Sequence, residues 1–289
     1  MASLPYEIVD VFTDRPFTGN SLAVVFEADS LTDEQMQTLA REFNLAETVF
    51  VLPVTTEGAT YRARIFTPET ELPFAGHPSV GAAVTVTRRG AGGEVVERSL
   101  VQECGAGLLP IDVYGSGTAR LTGGQPTCGP GLDPVPLLAA ARLTEADYAG
   151  PAPQLAGCGL EFPYLGVVPA AMARAAPVPV PGVSAVYVFA WEPSTREAHA
   201  RGFFPGMGIT EDPATGSAAL GLGVFLVASG VLPGDGESAY TVRQGYEIHR
   251  PSTLDCTVSA VDGVAVRATV AGQVVPVASG RIAVPPFVG

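Results

Sequence analysis

The chain has 289 residues, 47% of them hydrophobic and 16% charged. That is enough apolar side chain for a buried core and too much for a disordered chain. Against 29 acidic residues stand 16 basic ones, and the formal net charge of −13 repels phosphate backbones, so no nucleic-acid partner is expected.

Cys104, Cys128, Cys158 and Cys256 are scattered, with no CxxC spacing and no histidine close by in sequence. That pattern fits neither a zinc site nor a disulfide scaffold; reduced thiols in a cytoplasmic protein are the expectation, with no metal bound. The start, MASLPYEIVDVF, lacks a basic segment followed by an apolar one, so no signal peptide is read there. The most apolar run, residues 217–232, is shorter than the ~20 residues a membrane span needs. A helix apolar all round yet too short to span predicts a place in the core and no membrane partner.

In chain order, YEIVDVFTDRPFTGNSLAVVFEA reads as two strands around a turn at residues 15–20. LTDEQMQTLAREFN follows as a helix: Thr32 and Gln35 have capping-box spacing, and Leu31, Met36, Leu39, Ala40 and Phe43 can share a face. Asn44 or Leu45 ends it. ETVFVLPV and TYRARIFTP read as strands, and residues 90–125 as antiparallel β-structure punctuated by glycine turns. The Pro-, Gly- and Cys-containing stretch 126–136 predicts a linker. Beyond it, PLLAAARLTEADY predicts a helix, EFPYLGVVPA and SAVYVFAWE strands, and the proline-alternating residues 175–181 an exposed connection.

A pattern recurs. ARIFTP is followed by GHPSVGAA at residues 76–83, and ARGFFP by EDPATGSAA at residues 211–219. Each reads as a strand, a polar loop and a glycine-containing turn that opens an apolar helix, which suggests two similar halves.

The turn-to-helix motifs are the first candidates for chemistry, because a helix start exposes free N–H groups and a positive dipole end that receive anions. Asp212 precedes Pro213, which suits an N-cap followed by proline at the first helical position. It reads either as a structural cap or, with the amides of Gly216 and Ser217, as part of a ligand site. His77 stands before Pro78 in the same way. It is either an ordinary hydrogen-bonding histidine or a group that exchanges a proton with a substrate held at the helix end. Glu47, in NLAETVFV, is either an exposed strand-edge carboxylate or one desolvated against an apolar strand, where a raised pKa would suit it as acid and base. No GxGxxG follows a strand, no GxxxxGK[ST] occurs and no lysine motif suggests a Schiff base, so no cofactor is expected.

Together, DVFTDRPFTGNSLAVV, NLAETVFV, FTPETELPFAGHPSVGAA, GITEDPATGSAALGLG and QGYEIHRPS occur in the order found in PhzF-like proteins. The chain resembles that family of phenazine-biosynthesis isomerases over nearly its whole length. The resemblance implies a diaminopimelate-epimerase-like α/β fold of the α+β type: two similar halves, each a β-barrel-like sheet around a central helix, the helices starting near Pro78 and Pro213. The halves would be residues 1–125, completed by about 272–289, and residues 130–271. By the same resemblance Glu47 is the catalytic acid/base, and Gly76, His77, Asp212, Gly216 and Ser217 bind the substrate. The implied reaction is a cofactor-free proton shift on a small conjugated cyclic amino or hydroxy acid with a carboxylate, like that of trans-2,3-dihydro-3-hydroxyanthranilate isomerase. Closure of the halves would exclude water. A homodimer is also implied. Ser21, Ala46 and His249 depart from residues common in the family and bear on substrate choice.

Two other readings compete. A racemase or epimerase of the same fold would use a cysteine in each glycine-containing motif, and neither motif has one. A binding protein that had lost the chemistry would have no need to keep Glu47, His77 and Asp212 together.

Overall fold

The computed structural model describes residues 2–207 and 209–286. The chain forms two compact units, one of residues up to Leu121 with those from Ala271 onward, the other Thr122–Val270. Residues 287–289, the end of the segment expected to complete the first half, lie outside the described residues.

In the first unit β1 (Ser3–Val11) and β2 (Asn20–Val25) pair antiparallel. The turn between them is left-handed at Phe12, Phe17 and Gly19. A Cβ on Gly19 would lie 2.4 Å from the Val11 carbonyl oxygen, so glycine is required there. The expected capping box forms: Thr32 and Gln35 cap α1 (Asp33–Phe43), and Asn44 ends it in the left-handed region. Met36, Leu39 and Ala40 pack this helix onto Leu4, Val25, Phe50 and Phe66. It bridges β2 and the parallel strand β3 (Glu47–Leu52), as a crossover between parallel strands must. Antiparallel to β3 runs β4 (Tyr61–Phe66), and β5 (Glu71–Leu72) folds back on β4 and leads into α2 (Gly76–Gly90). The next strand, β6 (Arg98–Cys104), is parallel to β4 and opens an antiparallel meander with β7 (Gly107–Tyr114) and β8 (Thr118–Thr122). Residues 274–283 return to pair with β1, and the Val274 N–H reaches the Gly117 carbonyl at 2.9 Å. The sheet thus wraps round α2, which packs on β1, β2, β3 and β7.

The second unit corrects several expectations. The stretch read as a linker is β9 (Pro126–Gly131), paired with β10 (Gln154–Cys158), and it runs into α3 (Pro134–Ala140). Composition marks turns, but Pro126 stands at the strand's first residue, where proline is tolerated. Asp133 caps α3 by accepting the Val135 N–H at 3.0 Å. That helix does not run on to Tyr148. It stops at Ala140, Arg142 turns left-handed, and Thr144 with Asp147 forms a second capping box around a single 3₁₀ turn. Residues 175–181 are not an exposed connection either. The amides of Ala176 and Val178 bond to Ala141 and Ala140, and most of the segment is at least half-buried.

Then β11 (Glu161–Gly166) pairs antiparallel with β10 and parallel with β12 (Val186–Glu192). Antiparallel to β12 is β13 (Glu197–Phe204), on which β14 (Ile209–Asp212) folds back before α4 (Gly216–Ala228). After the helix, β15 (Gly236–Gln244) lies parallel to β13 and antiparallel to β16 (Ser252–Val261). The final strand is β17 (Val264–Ala283), and the Thr257 and Thr269 hydroxyls meet at 2.8 Å across its hairpin with β16.

The repeat read from sequence is therefore structural. In each unit a strand, a short antiparallel return, a buried helix and a parallel strand follow one another, and a barrel-like sheet surrounds the central helix. Every residue of Gly216–Val227 is buried, the core position expected of the most apolar run. No described helix is long and apolar enough to cross a membrane. The glycines of α4 allow close approach: Tyr164 donates to the Ala218 carbonyl and Tyr240 to that of Ala219, each at 2.7 Å. A Cβ on Gly221 would lie 2.2 Å from the Tyr164 hydroxyl and 3.0 Å from the Gly157 Cα. Gly221→Ala is expected to cost about 1–3 kcal/mol in urea unfolding, the usual toll of overpacking. Gly90→Ala, with nothing within 4 Å, should be close to neutral; equal effects from the two would contradict this packing.

Candidate active site

Glu47 is the first residue of β3, set opposite Leu22 of the parallel strand β2. It is 7% exposed, so the strand-edge reading fails. The helix start differs from expectation: α2 begins at Gly76 with Ala75 as its cap, which places His77 inside the first turn rather than ahead of it. The His77 Nε2 lies 3.4 Å from a Glu47 carboxyl oxygen, and Nδ1 lies 3.3 Å from the Asn20 side-chain amide. Burial pushes His77 down to about 3, against an opposing hydrogen bond with the Ser21 backbone. Near neutral pH the ring is uncharged, and its contact with Glu47 is carboxyl to neutral imidazole rather than an ion pair. A neutral imidazole in that place can give or take a proton.

Asp10 fixes the turn that carries Asn20. Its carboxylate accepts the Phe17 N–H at 2.6 Å and the Ser21 hydroxyl at 2.8 Å. The departure at Ser21 is thus explained locally, since its hydroxyl serves Asp10. Behind the helix start, Tyr61 donates to the Gln102 Oε1 and the Gln102 Nε2 donates to Ser79, each at 2.8 Å. Ser79 in turn donates to the Ala75 carbonyl at 2.9 Å.

In the second unit Asp212 is not the helix cap. It ends β14 in register with Gly202, and Thr215 holds the cap position. Gly216 is the first helical residue and Ser217 the second, so Ser217 stands where His77 stands in α2. All three of Asp212, Gly216 and Ser217 are buried. Thr215 donates to an Asp212 carboxyl oxygen at 2.6 Å. Gln244, fully buried at the end of β15, bonds to Asp212, Thr215 and Tyr187. Gly245 beside it is left-handed, and a Cβ there would come within 2.6 Å of the Pro213 carbonyl oxygen. Further out, Arg201 pairs two-pronged with Glu211 at 2.8 and 2.7 Å, and His199 meets Glu247 at 3.0 Å. His249 is an exposed left-handed turn residue, and Ala46 is half-buried.

The structure therefore gathers Glu47, Gly76 and His77 in the first unit, and Asp212, Gly216 and Ser217 in the second. Sequence reading missed Asn20, Thr215 and Gln244. Each lies within a segment that carries the family resemblance, but nothing in the spacing marks a buried polar partner. Cysteines are absent from both helix starts, and burial raises the Cys158 thiol to about 12. Among the described residues no group of His, Cys, Asp and Glu gathers that could hold a metal ion.

The low value for His77 has a thermodynamic consequence. Its ordinary value is 6.5 and its folded value about 3, so between these limits the unfolded chain binds the extra proton. This contribution is full above about pH 6.5 and is lost as pH falls toward about 3. Urea unfolding should show wild type losing stability relative to His77→Gln over that range, by up to about 1.4 kcal/mol per pH unit. Parallel curves for the two proteins would contradict a neutral buried His77.

Comparison with known proteins identifies the family. The family model for phenazine biosynthesis-like proteins matches residues 9–152 and 165–280. The chain is 34% identical to the uncharacterized isomerase YddE of Salmonella typhimurium, over 92% of this chain and 94% of that one. It is also 34% identical to trans-2,3-dihydro-3-hydroxyanthranilate isomerase of Pseudomonas aeruginosa, over 86% of this chain and 88% of that one. A crystal structure of a PhzF-family phenazine biosynthesis protein from Bacillus anthracis superposes with a TM-score of 0.87 at 27% identity, covering 98% of this chain and 100% of that one. The chain belongs to the phenazine-biosynthesis-like PhzF family, and it is an isomerase.

Proposed function

We propose that the protein is a cofactor-independent isomerase that moves a proton on a small conjugated cyclic amino or hydroxy acid, with Glu47 as the acid/base. The observation that carries this reading is the buried Glu47 carboxyl 3.4 Å from a neutral imidazole in the first turn of a buried helix. Conjugation acidifies a ring C–H. The Glu47 carboxylate takes that proton, and the resulting acid returns it to another carbon on the same face. A neighbouring neutral imidazole suits this cycle, because a fixed positive charge would hold the carboxylate ionised and make it a weaker base for the abstraction step.

Gly76 and His77 are assigned to substrate binding at the start of α2, and Asp212, Gly216 and Ser217 at the start of α4. Free N–H groups at such a start suit the carboxylate of a small substrate. A homodimer in the cytoplasm, without nucleic-acid or membrane partners, completes the reading.

The test is incubation with trans-2,3-dihydro-3-hydroxyanthranilate in D2O, followed by NMR and absorbance, beside Glu47→Gln. Turnover with deuterium entering the ring is expected, with a loss of about 10²–10⁴-fold in the variant, the usual contribution of general acid–base catalysis. Full activity in Glu47→Gln would remove Glu47 from the chemistry. No turnover by either protein would remove this substrate and direct the search to other small conjugated acids.

A further inference from the structure

The hydrogen bonds at the start of α4 run in one direction only. Gln244 lies against two backbone groups of fixed polarity. The Thr215 N–H can only donate, and it meets the Gln244 Oε1 at 3.2 Å. The Asp212 carbonyl can only accept, and it meets the Gln244 Nε2 at 2.8 Å. Turning the amide over would set N–H against N–H and oxygen against oxygen, so its orientation is determined by the backbone. Oε1 then accepts the Tyr187 hydroxyl proton at 2.8 Å, while Nε2 donates to the Thr215 Oγ1 at 2.9 Å. With that donor filling one side of its oxygen, Thr215 directs its own proton to the Asp212 carboxylate, 2.6 Å away. That separation is in the range of charge-assisted O–H···O⁻ bonds. Gln244 is fully buried, and Asp212 and Thr215 are nearly so, which leaves little room for water to replace a lost partner.

We infer that Thr215 and Gln244 are positioning residues for Asp212: the backbone orients the amide, the amide orients the hydroxyl, and the hydroxyl holds the carboxyl group in one rotamer. The effect on turnover rests on the proposed role of Asp212 in binding substrate. The hydrogen-bond chain itself does not.

Two measurements separate these. The Asp212 carboxyl resonance, assigned by its loss in Asp212→Asn, is followed by ¹³C NMR against pH. In Thr215→Val its titration should move to higher pH, because the charged form loses a donor, while Thr215→Ser should titrate as wild type. With trans-2,3-dihydro-3-hydroxyanthranilate as probe, Thr215→Val should lose about tenfold or more in kcat/KM, with the acid limb of its pH profile moved the same way, and Thr215→Ser should recover it. An unmoved carboxyl titration in folded Thr215→Val would overturn the inference. Should that variant not fold, the wild type still decides. Its Thr215 hydroxyl proton should be slow to exchange and correlate with the Asp212 carboxyl carbon, and the lack of that correlation would overturn the inference too. Absence of turnover in every protein, with the NMR result as expected, would sink only the substrate reading.

Discussion

The structure turns on the burial of two helix starts. A helix leaves its first N–H groups without intrahelical partners, and an unsatisfied buried polar group costs about 1–3 kcal/mol. Surface helices meet the need with water, but α2 and α4 begin among buried residues. Hydroxyl and amide side chains gather around both starts. Gln102 and Gln244, each on the strand that follows its helix, tie a tyrosine hydroxyl to a hydroxyl residue near the helix start. The glycines of α4 let Tyr164 and Tyr240 come close enough to bond its carbonyls.

The two helix starts carry different polar side chains. At the second position of α2 stands an imidazole that burial keeps uncharged, facing the Glu47 carboxyl. The same position in α4 holds Ser217, and Asp212, before that helix in the chain, is tied to the hydroxyl of the cap residue Thr215. The first arrangement suits exchange of a proton, since the uncharged imidazole sets no fixed positive charge against the Glu47 carboxyl. The second favours a carboxylate held as an acceptor. Equivalent places in the two units thus hold different side chains.

Local signals were legible where local physics decides. The Thr32–Gln35 capping box marked α1 almost to the residue, and the apolar run from Ser217 marked α4 as a core helix. The recurring strand–turn–helix pattern located both central helices and, with the family resemblance, the two-barrel fold. Reading failed where tertiary pairing overrides composition. Pro126, Gly129 and Pro130 look like a linker, yet they lie in β9, paired with β10. Asp212–Pro213 satisfies the rules for a cap and first helical residue, but Asp212 is held in register with Gly202, and the helix waits until Gly216. The burial of Glu47 depends on β2 and α2, and the tie between Gln244 and Asp212 crosses 32 residues. No spacing along the chain announces either contact.

Burial at the start of α2 leaves His77 an uncharged partner of Glu47. The most direct test is the ¹⁵N NMR spectrum of the His77 ring between pH 8 and about 4. One protonated and one unprotonated nitrogen across that range is the expected result. An imidazolium ring with both nitrogens protonated near pH 7 would contradict it, and would make His77–Glu47 a fixed ion pair rather than a pair able to pass a proton.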